Sequence, residues 1–446
     1  MTDDVKLAWL FTRGSERREW WRFGLTAVGA FCAAGFAAAA AALASLRGGV
    51  YRIPYAEGLF DRPGERAGVV LALLLLLIPT LGFLGQCARI GAVHRDRRMA
   101  GLRLAGASPL RVRRIAALET GLACLAGAVP AALVVGAAVL GVGAPPALLW
   151  AAVASAVLLV PVAGALVSVV ALRRVVASPL GGVRRERRTA GRGTALTGVA
   201  VVGGAILLGI LGVAYAGRLG LDAPLVLFVA FLLVGLGAVW VSGSFARLTG
   251  RRLAGRAENP AVLIAAERLR DDPWAAARTH AAVLLLTVVA TGYTGVRQAL
   301  MDDLLAAGSY PPESLDFYVT GLDLTAAAVG IGLLITLAAV AVGAAEGIAA
   351  RRQGLAGQVA AGVPRRVLSR ALLLETALPL APAVALAAVG GLAIGTFYAT
   401  AVGGGLTLPW TALPVPFAVY GTCLLAAATA MPLLRRTVRP TELRHD

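Results

Sequence analysis

Two carboxylates stand at matching places in this chain, where a charge is hard to accommodate. Glu119 and Glu375 lie 256 residues apart, and each is followed by a threonine and a long apolar run. A carboxylate at a membrane boundary costs free energy unless a cation pairs with it. Arg114 and Arg370 precede the two glutamates by five residues, which is poor spacing for a pair on one helix. We therefore expect each glutamate to pair across helices or with an arginine of the preceding turn.

The glutamates belong to a longer repeat that also falls on polar residues. The shared positions are Ala100-Gly101, Ala105-Gly106, Arg114 and Leu118-Glu119-Thr120 in the first copy, and Ala356-Gly357, Ala361-Gly362, Arg370 and Leu374-Glu375-Thr376 in the second. Matches confined to Ala, Leu and Val would mean little in so apolar a chain. Shared Arg, Glu and Ala-Gly pairs instead indicate that a membrane unit has been duplicated.

The first repeated stretch predicts a compact helical turn between two long helices. From Asp96 to Leu104 the sequence favours a short helix, which Ala105 to Ala107 interrupts. Ser108 can then cap the following helix, with Pro109 in its first turn. Such a turn, fixed to two membrane spans, is a lever, because a force applied to it tilts both attached helices.

Composition places these turns in an integral membrane protein. The 446 residues are 58% hydrophobic, with a mean hydropathy of +0.79, whereas soluble domains have roughly 45–50% apolar residues. The predicted fold is an all-α polytopic membrane protein with ten transmembrane helices, arranged as two parallel four-helix repeats plus a two-helix connector. The predicted spans are residues 23–46, 67–92, 115–140, 147–172, 195–217, 222–243, 280–299, 322–348, 371–398 and 411–434.

The repeat divides the chain into three predicted parts. Residues 1–180 form the first repeat with helices 1 to 4, residues 181–257 contain a basic linker and connector helices 5 and 6, and residues 258–446 form the second repeat with helices 7 to 10. An even number of spans precedes each repeat, so the two repeats are parallel. The segments before helices 1 and 7, near 5–21 and 259–278, have the composition of a helix in the headgroup region or of an ordinary basic flank.

Basic residues determine the predicted topology. The net charge is +18, yet with a cytosolic amino terminus only six of the 42 Lys and Arg residues fall on the external side. Four acidic residues, Asp302, Asp303, Glu313 and Asp316, lie in a predicted external loop at 300–321. Positive-inside topology therefore explains the charge without nucleic-acid binding, and both termini are predicted to be cytoplasmic.

The residue inventory argues against an enzyme. Lys6 is the only lysine in the chain, so a phosphate-binding loop ending in Lys-Ser or Lys-Thr does not exist in this sequence. The three histidines, His94, His280 and His445, lie in predicted cytosolic flanks without metal-ligand spacing. The four cysteines lie in or near predicted spans and are expected to pack as small apolar residues. No catalytic, metal-binding or cofactor-binding residue is predicted, and ATP hydrolysis would require another polypeptide.

The turn between helices 2 and 3 resembles a known coupling element. The stretch Leu102-Arg103-Leu104-Ala105-Gly106-Ala107-Ser108, followed by Glu119, is similar to the cytosolic element of the FtsX-like or MacB-type ABC transporter permeases. Those permeases show a pattern close to E-I-G-x-x-R-A-L-G-A-S before a Glu at the start of the next helix. The resemblance covers helices 1 to 4 and 7 to 10, and the ten-helix layout is similar to the peptide-resistance branch of that family.

The resemblance implies that each turn, here called an elbow, docks on a cytosolic ABC ATPase subunit encoded as a separate chain. Two ATPase copies are therefore expected, and the lipid bilayer of a bacterial plasma membrane is the other partner. The first elbow comprises Arg97, Arg98, Leu102, Arg103, Leu104, Gly106, Ser108 and Glu119. The second elbow comprises Arg351, Arg352, Ala360, Gly362, Pro364, Arg370 and Glu375.

The chain departs from the family pattern in ways that bear on function. An arginine replaces the leading Glu, and Ala100 replaces the Gly. The second elbow has Val359 and Pro364 where the first has Arg103 and Ser108. The predicted external segments are too short for the large extracellular domain usual in the peptide-resistance branch. Capture of peptides outside the cell is therefore not carried over.

Several function classes follow from these features. The leading hypothesis is an ABC permease that couples ATP hydrolysis by a partner to export or to transmembrane signalling, with a histidine kinase as a further partner in the signalling case. A secondary transporter with parallel repeats is the alternative, and it requires ionisable groups near the bilayer midplane. The predicted spans offer essentially none away from their ends. A purely structural membrane protein would leave a duplicated lever unexplained.

Overall fold

All regular structure in the described part of the chain is helical. The computed structural model describes residues 17–46, 63–87, 101–141, 147–171, 200, 203–204, 207, 223–271, 273–307, 312–403 and 408–437. Within these residues, nine helices are long and apolar enough to cross a membrane. The all-α class predicted for a membrane protein is thus confirmed. The predicted fifth span, 195–217, lies largely outside the described residues.

The chain forms two compact units, Met1–Arg188 and Thr189–Asp446. The helices of unit 1 are α1 (Arg17–Ser45), α2 (Pro63–Cys87), α3 (Pro109–Leu140) and α4 (Ala147–Ala171). Helix α1 packs against the other three, and α3 also packs against α4. Unit 1 is therefore organised around its first helix.

Small side chains let the helices of unit 1 approach closely. Ala30, Ala34 and Ala38 of α1 have no exposed surface and lie in the core. On α3, Gly127 lies so close to the Ala27 backbone of α1 that a β-carbon has no room there. Without a hydrophobic driving force between helices inside a bilayer, such close packing is a main source of their association.

Unit 2 contains eight α-helices among the described residues. They are α5 (Ala223–Ala254), α6 (Pro260–Asp271), α7 (Pro273–Ala307), α8 (Pro312–Ala350), α9 (Arg352–Ala360), α10 (Arg365–Gly403), α11 (Val415–Ala428) and α12 (Met431–Thr437), with a 3-10 turn at Trp410–Ala412. Helices α7 and α10 pack along each other, and α5 packs on both. A β-carbon on Gly295 of α7 would lie 2.9 Å from the Gly395 Cα of α10, so glycines again set the helix separation.

The predicted external loop at 300–321 is mostly helical, which corrects the sequence-based boundary. Helix α7 continues to Ala307 and α8 begins at Pro312. The Tyr293 hydroxyl of α7 donates to the Leu322 carbonyl of α8 at 2.6 Å, 14 residues before α7 ends and ten residues after α8 begins. With 39 residues, α8 is about 58 Å long, well above the roughly 30 Å of a bilayer core. It therefore extends beyond the hydrocarbon.

The sequence left two interpretations of residues near 259–278, a helix in the headgroup region or an ordinary basic flank, and the structure forms a short amphipathic helix, α6, at Pro260–Asp271. Asn259 begins it by accepting the Ala261 N–H on Oδ1 at 2.9 Å. Its buried side is apolar and includes Leu269, whereas Glu267 and Arg270 on the other side are about half exposed. The corresponding segment near 5–21 lies mostly outside the described residues, and a headgroup location for α6 stays a prediction.

Candidate functional site

The first elbow is a helix end closed by a glycine with positive φ. Residues 101–104 are helical, and Gly106 has φ 93°. The Ala107 N–H donates to the Leu102 carbonyl at 2.9 Å, and the Gly106 N–H donates to the Arg103 carbonyl at 3.1 Å. This pair of hydrogen bonds is the Schellman motif. Ser108 then caps α3 by accepting the Arg111 N–H at 3.3 Å, so the predicted break and cap are confirmed.

The second elbow has the same backbone arrangement at the equivalent residues. Helix α9 ends before Gly362, whose φ is 88°. The Val363 N–H donates to the Gln358 carbonyl at 3.0 Å, and the Gly362 N–H donates to the Val359 carbonyl at 3.0 Å. The second Ala-Gly pair of each copy, Ala105-Gly106 and Ala361-Gly362, therefore has one physical cause. Its glycine supplies the left-handed residue that lets one helix stop and the next begin at once.

Substituting the elbow glycine tests this backbone requirement. Gly362→Ala is expected to destabilise unit 2 by about 1 kcal/mol, because an L side chain is strained at positive φ. Gly357→Ala is the matched control, since it lies in helical α9 and an added β-carbon meets nothing within 4 Å at either glycine. The control should be neutral or slightly stabilising. Thermal unfolding of the purified variants measures the difference, and equal midpoints would contradict the role of Gly362.

The elbows are anchored by apolar contacts but expose different side chains. In the first elbow, Leu102 packs against the buried α3 cluster, whereas Leu104 and Leu110 are 66% and 64% exposed. In the second elbow, Leu355 is fully buried, and the exposed residues include Ala360. The first elbow thus presents two leucines to its surroundings, which the second does not match.

The Arg103 side chain folds back onto its own turn. Its Nη1 donates to the Ala107 carbonyl at 2.9 Å, within the same turn. Arg103 therefore holds the elbow together rather than projecting from it. Arg97 and Arg98 lie outside the described residues. In the second elbow, Pro364 takes the place of Ser108 directly before α10, and a proline side chain cannot cap the helix.

Glu119 is buried in unit 1 and pairs with an arginine from another helix. Its side chain is 3% exposed and accepts a hydrogen bond from Arg22 Nη2, whose side chain is 13% exposed. Arg22 lies on α1, and Glu119 lies on α3, the helix that leaves the first elbow. The predicted pairing across helices is confirmed. The ion pair fixes the first elbow's outgoing helix to the central helix of the unit.

Glu375 pairs with two arginines, one of which belongs to the second elbow. Arg351 Nη1 donates to both carboxylate oxygens at 2.8 Å, and Arg268 Nη1 lies 3.4 Å from Oε2. Arg268 Nη2 also lies 3.5 Å from Gln358 Oε1 on α9. The predicted pairing with an elbow arginine is confirmed, and the network joins α6, α9 and α10.

The environment of Arg268 reflects this partly buried position. Burial lowers the pKa of its guanidinium, the adjacent Glu375 carboxylate raises it, and Arg351 lowers it again. Sequence reasoning did not identify Arg268, which lies 107 residues before Glu375 and shares no helix or turn with it. The only feature of the sequence that could have indicated Arg268 was its position in the basic segment before α7, which forms α6.

A cavity of about 100 Å³ adjoins the Glu375 network inside unit 2. Its polar lining includes His280, Arg351, Glu375 and Thr376, and its other walls are apolar. His280 was predicted to be a residue of a cytosolic flank, but it is only 3% exposed, because α7 begins before it and carries it into the core. Its Nδ1 is buried and has no hydrogen-bond partner among the described residues.

These two sites consist of ion pairs and tight turns between helices. Among the described residues, no group of three His, Cys, Asp or Glu side chains could hold a metal ion. Each elbow is a short rigid turn, and each has a carboxylate on its outgoing helix that an arginine ties to a neighbouring helix. A displacement of either elbow is therefore transmitted to a packed helix bundle. Comparison with models of protein families, with curated proteins and with solved structures yields no match.

Proposed function

We propose that this chain is the membrane-spanning permease subunit of an ABC transporter, in which ATP hydrolysis by a separate ATPase drives a conformational change for export or signalling. One observation carries the proposal: the two elbows share a Schellman turn, and each is fixed to its unit by a glutamate–arginine pair. A duplicated turn of defined geometry fits a partner that binds twice. On the resemblance of the first elbow to the FtsX-like and MacB-type permeases, the partner we propose is an ABC ATPase.

The ion pairs connect each elbow to neighbouring helices, so that they would move together. Arg22 and Glu119 link α1 to α3, so movement of the first elbow would carry the central helix of unit 1. Arg351 and Arg268 bind Glu375, so the second elbow would carry α6 with α10. Interfaces of this kind convert small local shifts into rigid-body motions.

The proposal includes a specific layout. Ten spans form two parallel four-helix repeats with a two-helix connector, and both termini lie in the cytoplasm of a bacterial cell whose plasma membrane holds the protein. The domains would be 1–180, 181–257 and 258–446. The sequence repeat and the positive-inside charge distribution support this arrangement.

The distribution of buried charge favours ATP coupling over the alternative of an ion-coupled transporter. Apart from cysteine thiols, Arg66, Glu119 and His280 are the ionisable side chains that are buried among the described residues. Each lies within about the first ten residues of its candidate span. Ion-coupled carriers place such groups near the bilayer midplane. The described spans thus lack a buried proton or ion site at that depth.

Cysteine crosslinking tests the proposed partnership. Cysteines introduced at Leu104 and Ala360, both exposed on the elbows, are expected to crosslink to a co-expressed candidate ABC ATPase. Leu133→Cys is the matched control, because that residue is 69% exposed but lies within the apolar span of α3. Three of the native cysteines are buried, so their background reaction is small. Recovery of uncrosslinked permease from both elbow variants, with the ATPase present, would exclude docking at the elbows.

A further inference from the structure

The cavity beside Glu375 has the features of a site for a phosphate-bearing amphiphile. It lies where several helices of unit 2 reach the ends of their candidate spans: His280 begins one span, Arg351 directly follows another, and Met431 is near the end of a third. The ends of spans coincide with the headgroup region of a bilayer. A basic pocket between helices at this level is suited to lipid headgroups.

Arg351 has donors left for a ligand. Only its Nη1 is engaged with the described residues, through the two hydrogen bonds to Glu375, and its side chain is 42% exposed. A guanidinium carries five N–H donors in a planar fork that matches phosphate oxygens. Arg268 also contacts Glu375, so this network contains two cations and one carboxylate. The excess positive charge favours an anionic group.

His280 supplies the second, independent sign of a ligand. The residue is only 3% exposed, and it lines the cavity. Its Nδ1 is buried and has no hydrogen-bond partner in the described part of the protein. Buried polar atoms are normally hydrogen-bonded, and a bound group that reaches the cavity would satisfy this nitrogen. A volume of about 100 Å³ accommodates several water-sized groups, enough for a phosphate.

The apolar walls distinguish an amphiphile from a purely hydrophilic anion. Val340 and Ile348 of α8 and Leu372 of α10 line the cavity beside the charged residues, and the cavity is partly open to the outside. A ligand with an anionic head and a hydrocarbon portion satisfies both kinds of surface. We propose that this cavity binds the phosphate group of a membrane lipid, with Arg351 contacting the phosphate and His280 completing the polar end.

The cavity wall includes a glycine at which a larger side chain can be introduced. A β-carbon added to Gly347 of α8, which lines the cavity, meets no protein atom within 4 Å, and the same is true of Gly330 on the same helix, which does not line it. Gly347→Leu should therefore occupy the cavity, whereas Gly330→Leu is its matched control. Arg351→Ala removes the proposed phosphate contact. Arg366→Ala removes an exposed charge of the same elbow that lies outside the cavity.

Native mass spectrometry of the delipidated full chain can measure the binding. Dioleoyl phosphatidylglycerol is expected to bind wild type, Gly330→Leu and Arg366→Ala alike, and to bind Gly347→Leu and Arg351→Ala about tenfold more weakly. Dioleoylglycerol, which has no phosphate, should not distinguish the variants. The thermal midpoints of the two leucine variants show whether both are folded, and His280→Ala provides a second test of the polar end, with weaker lipid binding expected.

The result also identifies the source of the phosphate. If millimolar inorganic phosphate leaves the lipid bound, the site takes a lipid headgroup as proposed. If inorganic phosphate displaces the lipid from wild type but has no effect on Gly347→Leu, the site is a soluble-phosphate site and the lipid assignment is overturned. Equal lipid binding by Gly347→Leu and Gly330→Leu would overturn the site itself. None of these outcomes depends on an ATPase, so the test is independent of the proposed permease function.

Discussion

Arg22→Met is expected to destabilise the protein by about 3–5 kcal/mol, the cost typical of removing one partner of a buried ion pair. The reason is that Glu119 has only 3% of its side chain exposed, so its charge depends on the protein rather than on water for compensation. A rise in the unfolded fraction at fixed temperature and a lower thermal midpoint in detergent would measure this loss. The expected effect exceeds that of any surface charge in either unit.

Two controls isolate the ion pair from general charge removal. Arg297→Met breaks an exposed pair, because Arg297 and Asp323 are 42% and 63% exposed, and such pairs contribute less than about 1 kcal/mol. The double variant Arg22→Met with Glu119→Leu should recover most of the stability, since an apolar pair of similar volume avoids the desolvation cost. A single Arg22 variant no less stable than Arg297→Met would show that Glu119 does not need the arginine.

The elbows could be predicted from sequence because their structure depends on neighbouring residues. The position of Gly106 between a helix-favouring stretch and Ser108 already specifies a helix end followed by a cap. The same is true of Gly362, where Pro364 begins the next helix. Backbone hydrogen bonds within six residues make both turns, so no distant contact had to be known.

For each glutamate, the sequence predicted that the partner is a cation but not which residue supplies it. Electrostatics required a cation for Glu119 and Glu375, but the choice of Arg22 and Arg268 depends on which helices pack together. The burial of His280 has the same cause. Its neighbours in sequence resemble a basic flank, whereas the early start of α7 and the packing of α8 and α10 enclose it.

The limits of the spans were misjudged for a related reason. Hydropathy falls near Asp302 and Asp303, and the sequence therefore suggested a loop. The helices continue through this polar stretch because backbone hydrogen bonding does not require an apolar environment. Hydropathy predicts which residues can lie in the bilayer, but it does not predict where a helix ends.

The two elbows share a backbone but differ in what they offer a partner. In the first, Arg103 is engaged with its own turn, and Leu104 and Leu110 form the exposed surface. In the second, arginines 365 and 366 and the small Ala360 are exposed instead. Burying an exposed leucine on binding contributes roughly 1.5–3 kcal/mol, whereas a charge that stays exposed at the rim of an interface contributes little. On the proposed function, the first elbow is therefore the principal ATPase-binding element.

Leu104→Asp is accordingly expected to weaken association with the ATPase by at least about tenfold, because burying a leucine contributes roughly 1.5–3 kcal/mol and an aspartate cannot replace it. The substitution should leave the fold intact, since the leucine is 66% exposed. Ala360→Asp, the equivalent change in the second elbow, introduces the same charge but removes only a methyl group, and its effect should be several-fold smaller. Quantitative pull-down of the ATPase with each purified variant measures the ranking. Equal losses from both variants would show that the shared Schellman backbone, and not the exposed leucine, determines where the ATPase binds.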